Sequence, residues 1–115
     1  MTSESGPGGP VRGSTGGRPV MALLDLLGRR WTLRIVWELR TGALSSRALR
    51  AACGGVSPSV LQTRLDELRG AQLVTHQPGA GYALTALGRE LLVAFAPLYG
   101  FADRWAGALQ REGGA

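Results

Sequence analysis

Lysine is absent from this 115-residue chain, and cysteine and histidine each occur once, as Cys53 and His76. One cysteine rules out an internal disulfide and a cysteine-only zinc site. One histidine rules out a histidine-cluster metal site and most histidine-based triads. No metal or cofactor is therefore expected. No run approaches the roughly 18 apolar residues of a membrane span. The opening Met1-Thr2-Ser3-Glu4-Ser5 has neither the basic nor the apolar region of a secretory signal. A cytoplasmic protein with no membrane partner is the expectation. No catalytic constellation is visible either: no Ser/His/Asp order, no carboxylate pair in an apolar setting, and no glycine loop following a strand. An enzyme is not expected.

What is present fits one modest domain. The hydrophobic fraction of 44% is ordinary for a globular chain, and this length supports a single core. Thirteen arginines against eight acids give a net charge of +5 and a pI near 11.0. A small basic domain points to a polyanionic partner, nucleic acid foremost. Arginine without lysine, beside 18 glycines, fits a GC-rich coding sequence, so the charge carries the information and the choice of arginine does not.

Residues 1–18 hold six glycines and two prolines and almost nothing apolar. Such a segment reads as a flexible tail, whose Arg12 and Arg18 could still reach a phosphate backbone. The domain is expected over 19–112, with a second short tail at 113–115. Pro19 suits a first helical position, Val20, Leu23, Leu24 and Leu27 follow at helical spacing, and Gly28 closes the turn. Trp31, Ile35, Val36 and Leu39 mark a second helix ending by Gly42. Ser45 caps a third, short helix with Ala48, Leu49 and Ala52, which stops at Gly54-Gly55. Ser57-Pro58 opens a fourth, with Leu61, Leu65 and Leu68 on one face, running to about Gln72. The period then switches. Leu73 to His76 and Tyr82 to Leu84 flank Gln77-Pro78-Gly79-Ala80-Gly81, which reads as a hairpin. Thr85 restarts a helix whose Leu91, Phe95, Leu98, Ala102, Trp105 and Leu109 form a heptad-like seam, interrupted by Pro97 and Gly100. The expected fold is mainly α with a small β-hairpin wing: a winged helix-turn-helix.

Three motifs then resemble one family. Asp25-Leu26-Leu27-Gly28-Arg29-Arg30-Trp31-Thr32-Leu33-Arg34-Ile35 resembles the opening segment of HxlR-type transcriptional regulators. Val56-Ser57-Pro58-Ser59-Val60-Leu61-Gln62-Thr63-Arg64-Leu65 resembles their recognition segment. Tyr82-Ala83-Leu84-Thr85-Ala86-Leu87-Gly88 resembles their "Y-x-L-T-x-L-G". The resemblance spans about Pro19 to Leu92. It implies a homodimeric regulator of double-stranded DNA, with terminal helices forming the dimer interface and, in some members, a sensing cysteine. Three departures stand out. Arg18-Pro19-Val20 replaces the "C-P-V" that carries that cysteine. Ser59 replaces a basic residue. The wing between Thr75 and Gly81 is short and lacks arginine.

Candidate DNA contacts follow from this placement. Ser57, Ser59, Gln62 and Thr63 sit at the start of the fourth helix, where a helix-turn-helix reads base edges. Arg47 and Arg50 share a face of the third helix beside Ser46, and Arg30 and Arg34 are one turn apart. Residues 19–56 carry six arginines against Asp25 and Glu38, a net of +4, whereas 57–84 carry Arg64 and Arg69 against Asp66 and Glu67, a net of zero. Phosphate contact is therefore expected from the supporting helices, through Arg30, Arg47 and Arg50. His76 lies in the wing, within reach of phosphate or minor groove. Trp31, Trp37, Phe95, Tyr99 and Trp105 are candidates for a pocket holding a small apolar or aromatic effector, though such aromatics more often form core or interface. Cys53 reads as a small buried filler. The alternative function is a winged-helix protein without DNA readout, binding a small aromatic ligand or a protein.

Overall fold

The computed structural model describes residues 18–114. Residues 1–17 of the expected tail, with its Arg12, lie outside them, and Arg18 is the residue before α1. The order is α1 (Pro19–Leu27), α2 (Thr32–Glu38), α3 (Ser46–Cys53), α4 (Pro58–Gly70), β1 (Val74–Gln77), β2 (Gly81–Leu84), α5 (Ala86–Phe95) and α6 (Pro97–Gly114). Each boundary has a local cause. Ser45 Oγ accepts the Ala48 amide at 3.1 Å and Ser57 Oγ accepts the Val60 amide at 3.2 Å, so both helices of the helix-turn-helix carry side-chain caps. Gly54 ends α3 in the left-handed region at φ 70°. Trp31 also has positive φ, at 81°, at the start of α2, a conformation that costs a non-glycine residue of the order of 1 kcal/mol.

β1 and β2 pair antiparallel, with Val74 opposite Leu84 and His76 opposite Tyr82. Their connection is a turn closed by the Ala80 amide on the Gln77 carbonyl at 2.9 Å, with Pro78 and a positive-φ Gly79 at its centre, the type II pattern. Leu44 exchanges both backbone hydrogen bonds with Tyr82, at 2.9 and 2.8 Å, and so forms a third edge of the wing. A side chain on Gly81 would collide with the Leu44 carbonyl. Gly88 has the same role in α5, because a Cβ there would run into the Leu73 carbonyl. The glycine of the "L-T-x-L-G" motif thus lets α5 seat against the end of the α4–β1 connection. Thr85 fixes the same junction, donating to the Gln72 carbonyl at 2.7 Å and accepting the Gly88 amide at 2.9 Å.

The core is built from the apolar faces of α2, α3, α4 and α5 plus the inner face of the wing. Ile35, Leu39, Leu49, Leu61, Leu65 and Leu68 are essentially removed from water, with Val56, Val74, Leu84, Leu91 and Phe95 around them. Each fully buried side chain of this size contributes about 1.5–3 kcal/mol of transfer free energy.

The ends differ from the sequence expectation in four ways. α2 stops at Glu38, short of Gly42. α4 stops at Gly70, because Gln72 takes positive φ. α6 continues through 113 to Gly114, into the expected short tail. The terminal helix breaks at Ala96-Pro97, as the proline led one to expect, since it has no amide to donate, but Gly100, expected to interrupt it too, lies inside α6. The seam splits at that break. Leu91 and Phe95 belong to the chain's own core, whereas Leu98, Trp105 and Leu109 are 57%, 56% and 52% exposed.

Candidate nucleic-acid interface

α3 and α4 meet across the Gly54-Gly55-Val56 turn, and the residues flanking it form one surface. Ser46, Arg47 and Arg50 from α3 and Pro58, Leu61 and Gln62 from α4 line a shallow cleft of about 220 Å³. Leu49 and Leu61 anchor the two helices from below, both fully buried. Arg47 and Arg50 are exposed, and among the described residues neither guanidinium makes an ion pair or hydrogen bond. The cleft therefore presents two uncompensated cations beside the capped start of α4, the end of a helix that carries partial positive charge.

The other arginines of residues 19–56 are engaged. Arg29 pairs with Glu67 of α4 at 2.6 Å. Arg34 pairs with Glu38 at 2.8 Å and donates to the Ala52 carbonyl near the end of α3 at 2.9 Å. Arg40 lies 4.3 Å from the Trp37 ring centre and donates to the Trp37 carbonyl at 3.0 Å. Arg30 lies 5.2 Å from the Trp31 ring centre, and its carbonyl accepts from Arg64 Nε at 2.9 Å. Glu67 holds both Arg29 and Arg64, the latter at 3.1 Å. These pairs brace α4 against the α1–α2 connection. The Arg64–Glu67 spacing of three is visible in the sequence; the reach from Arg29 to Glu67, 38 residues away, is not.

The remaining candidate DNA contacts are placed as follows. Ser57 is the α4 cap: its hydroxyl oxygen accepts the Val60 amide and lies 3.4 Å from Ser59 Oγ. Ser59, Gln62 and Thr63 are exposed on the first two turns. Thr63 Oγ1 donates back to the Ser59 carbonyl at 3.0 Å, and Gln62 Nε2 donates to Asp66 Oδ1 at 3.0 Å. His76 is exposed in the wing, its ring 4.7 Å from that of its cross-strand neighbour Tyr82.

The five aromatic candidates do not share one pocket. Phe95 is core. Trp31 packs toward the helix-turn-helix turn, its Cη2 3.7 Å from where a Gly55 Cβ would stand. Trp105 is exposed on α6. Only Trp37, Tyr99 and Phe95 meet. Trp37 and Tyr99 stack with centres 4.1 Å apart and planes at 22°, and Phe95 lies 6.1 Å from Tyr99. The separation has a simple origin: Trp31 is the left-handed cap residue before α2, whereas Trp37 lies on α2 near its end. Burial pushes the Tyr99 hydroxyl above its usual range, against Arg34 and Arg40, which favour the anion. Cys53 is buried, as expected, and burial raises its thiol, partly offset by the nearby Arg34. A thiol held protonated is a weak nucleophile. No group of three or more potential metal ligands occurs among the described residues, and no helix there is long and apolar enough to cross a membrane.

A short positioning helix, a glycine turn, a capped second helix and a two-stranded wing define a winged helix-turn-helix protein. The model of the HxlR-like helix-turn-helix family matches residues 26–110; the chain belongs to this family of transcriptional regulators. It is 27% identical over 93 residues to an uncharacterized HTH-type transcriptional regulator, sll1512, of Synechocystis, covering 76% of this chain and 69% of that protein. Among solved structures it is similar to quinone-bound YodB of B. subtilis, with TM-score 0.69 and 28% identity over 74% of this chain and 96% of that one. A possible HxlR family transcriptional factor of Thermoplasma volcanium gives TM-score 0.67 and 28% identity, over 82% and 86% of the two chains.

Proposed function

We propose that this chain acts as a homodimer that binds double-stranded DNA, with α4 in the major groove and Arg47 and Arg50 on the flanking phosphates. The observation that carries the reading is the cleft between α3 and α4, where two unpaired guanidiniums stand beside the exposed start of a capped helix. Phosphate contacts from a supporting helix set register, and polar side chains of the inserted helix read bases. Ser46, Ser59, Gln62 and Thr63 are the further contacts of this surface, Arg30 flanks it, and the short wing offers His76. Ser57 acts through its cap, shaping the first turn rather than touching a base with its hydroxyl.

The dimer arm rests on apolar surface left open at both ends of the domain. Val20, Met21 and Leu24 on α1 and Leu98, Phe101, Trp105 and Leu109 on α6 are all exposed, more than a monomer of this size ordinarily leaves wet. A second copy related by two-fold symmetry covers both, and it matches paired half-sites on DNA. A small aromatic effector is the third element, supported by the likeness to quinone-bound YodB. Here it acts without covalent attachment, competing with Tyr99 for the face of Trp37.

The test is selection of genomic fragments by the purified protein, with sedimentation velocity on the same sample. The reading requires a shared sequence in the bound fragments and a dimer at micromolar concentration. Absence of any bound fragment at low salt overturns DNA readout, and ligand- or protein-binding by the same fold then takes its place.

A further inference from the structure

We infer that Asp66 is a positioning residue for base readout: it fixes the Gln62 amide so that the fourth helix selects adenine over guanine at one position of each half-site. The inference rests on the DNA-binding reading above.

The exposed polar side chains on the first turns of α4 are Ser59, Gln62, Thr63 and Asp66. None is a cation. Of the two arginines of α4, Arg64 is held by Glu67 and the Arg30 carbonyl, and Arg69 lies in the last turn. Guanine offers only acceptors in the major groove, O6 and N7, and its usual readers are arginine and lysine. The exposed start of α4 itself has none to offer. Adenine offers a donor and an acceptor side by side, N6–H and N7, and its usual reader is a side-chain amide.

The Gln62–Asp66 contact decides which way that amide faces. A carboxylate only accepts, so the Gln62 nitrogen must turn toward Asp66, as it does at 3.0 Å. One N–H is used there. The carbonyl oxygen and the second N–H remain, an acceptor beside a donor, which complements adenine. An amide free to flip could instead turn its donors outward to guanine. Thr63 does not supply a donor for guanine, since its hydroxyl proton is spent on the Ser59 carbonyl. Gln62 also lines the cleft with Arg47 and Arg50, so its open edge lies on the surface that carries the phosphate-seeking charge.

The experiment is selection from randomised duplexes by the full chain, as wild type, Asp66→Asn and Gln62→Ala. Wild type should favour adenine over guanine by about tenfold at one position per half-site, within the range of a good bidentate pair. A carboxamide in place of the Asp66 carboxylate can accept from the Gln62 amide or donate to it, and so no longer fixes its orientation. In Asp66→Asn the preference should therefore fall to about twofold, with other positions unchanged. Gln62→Ala should lose the preference altogether. In a fixed duplex, 7-deaza-adenine at that position should weaken wild type and leave Gln62→Ala unaffected. Thermal melts check that each variant is folded, and Asp66→Ala serves if Asp66→Asn is not. Binding by wild type with guanine preferred there, or an adenine preference untouched by Asp66→Asn, overturns the inference while leaving DNA binding intact. No selected sequence at all overturns the DNA-binding reading, and this inference with it.

Discussion

Arg47→Ala and Arg64→Ala should fail in different ways, because one guanidinium is unpaired and the other is tied into the fold. Each phosphate neutralised adds about 0.9 to the slope of log affinity against log salt. In a two-fold dimer Arg47 occurs twice, so Arg47→Ala should flatten the slope by about 1.8 units. Between about 50 and 200 mM salt, that amounts to roughly a twelvefold smaller loss of affinity than wild type shows. Arg50→Ala should behave alike, and the double variant should lose about twice the slope of either. Both side chains are exposed and unpartnered, so melting temperatures should barely move. Arg64→Ala should do the reverse. It leaves Glu67 with one cation and the Arg30 carbonyl without its donor, which costs of the order of 1 kcal/mol of stability and little slope. Fluorescence anisotropy on a selected fragment over a series of salt concentrations, with thermal melts alongside, measures both quantities. Equal slopes for wild type and Arg47→Ala would refute the assignment of phosphate contact, and a slope change in Arg64→Ala without a stability change would refute the structural role given to its pairs.

Other outcomes follow from the packing. Gly88→Ala should destabilise the fold by about 1–3 kcal/mol, since its methyl enters space held by the Leu73 carbonyl; urea titration reads this, and a neutral effect would mean that α5 is not seated as described. Changing Leu98 and Trp105 together to polar residues should give monomers by sedimentation without loss of helical signal, because neither side chain is in the core; a wild-type protein that is already monomeric at micromolar concentration removes the dimer. Burial raises the pKa of both Cys53 and Tyr99. A raised thiol or phenol binds its proton more tightly in the folded state, so its contribution is complete at neutral pH and is lost as pH climbs above the unfolded values, from roughly 8.5 for the thiol. Stability should fall over that alkaline range, and less steeply in Cys53→Ser with Tyr99→Phe. Peroxide should leave DNA binding unchanged in the wild type, and a loss that Cys53→Ser abolishes would show the thiol to be reactive.

The helix-turn-helix and wing were legible because their signals are local. Ser45, Ser57 and Thr85 each cap a helix from the preceding position, the glycine pair stops α3, and Gln77-Pro78-Gly79-Ala80 sets the wing turn. The heptad-like seam misled for a non-local reason. Spacing alone puts Leu91 and Phe95 on the same stripe as Leu98, Trp105 and Leu109, but past the break at Pro97 these last three stand exposed. Leu91 and Phe95 then serve the domain's own core, and the other four residues of the seam remain open. Periodicity reports that a face is apolar; the partner that covers it depends on where the chain bends.

The candidate site shows the same limit in its charges. A count over residues 19–56 finds six arginines and treats them as equal, yet partners divide them. Arg29 and Arg34 balance Glu67 and Glu38, and Arg40 and Arg30 lie against indoles. What is left for an anion is Arg47 and Arg50, on the one helix of the pair that carries no acid at all. The neutral charge of residues 57–84 divides in the same way. Arg64 and Glu67 cancel within the scaffold, while Asp66 stands on the exposed face with Gln62. A helix whose one early cation, Arg64, is tied into the scaffold can still offer polar side chains to bases. In the DNA-binding reading proposed above, discrimination rests on the orientation of an amide and affinity on the neighbouring helix, so substitutions on α3 and α4 should separate binding strength from base preference.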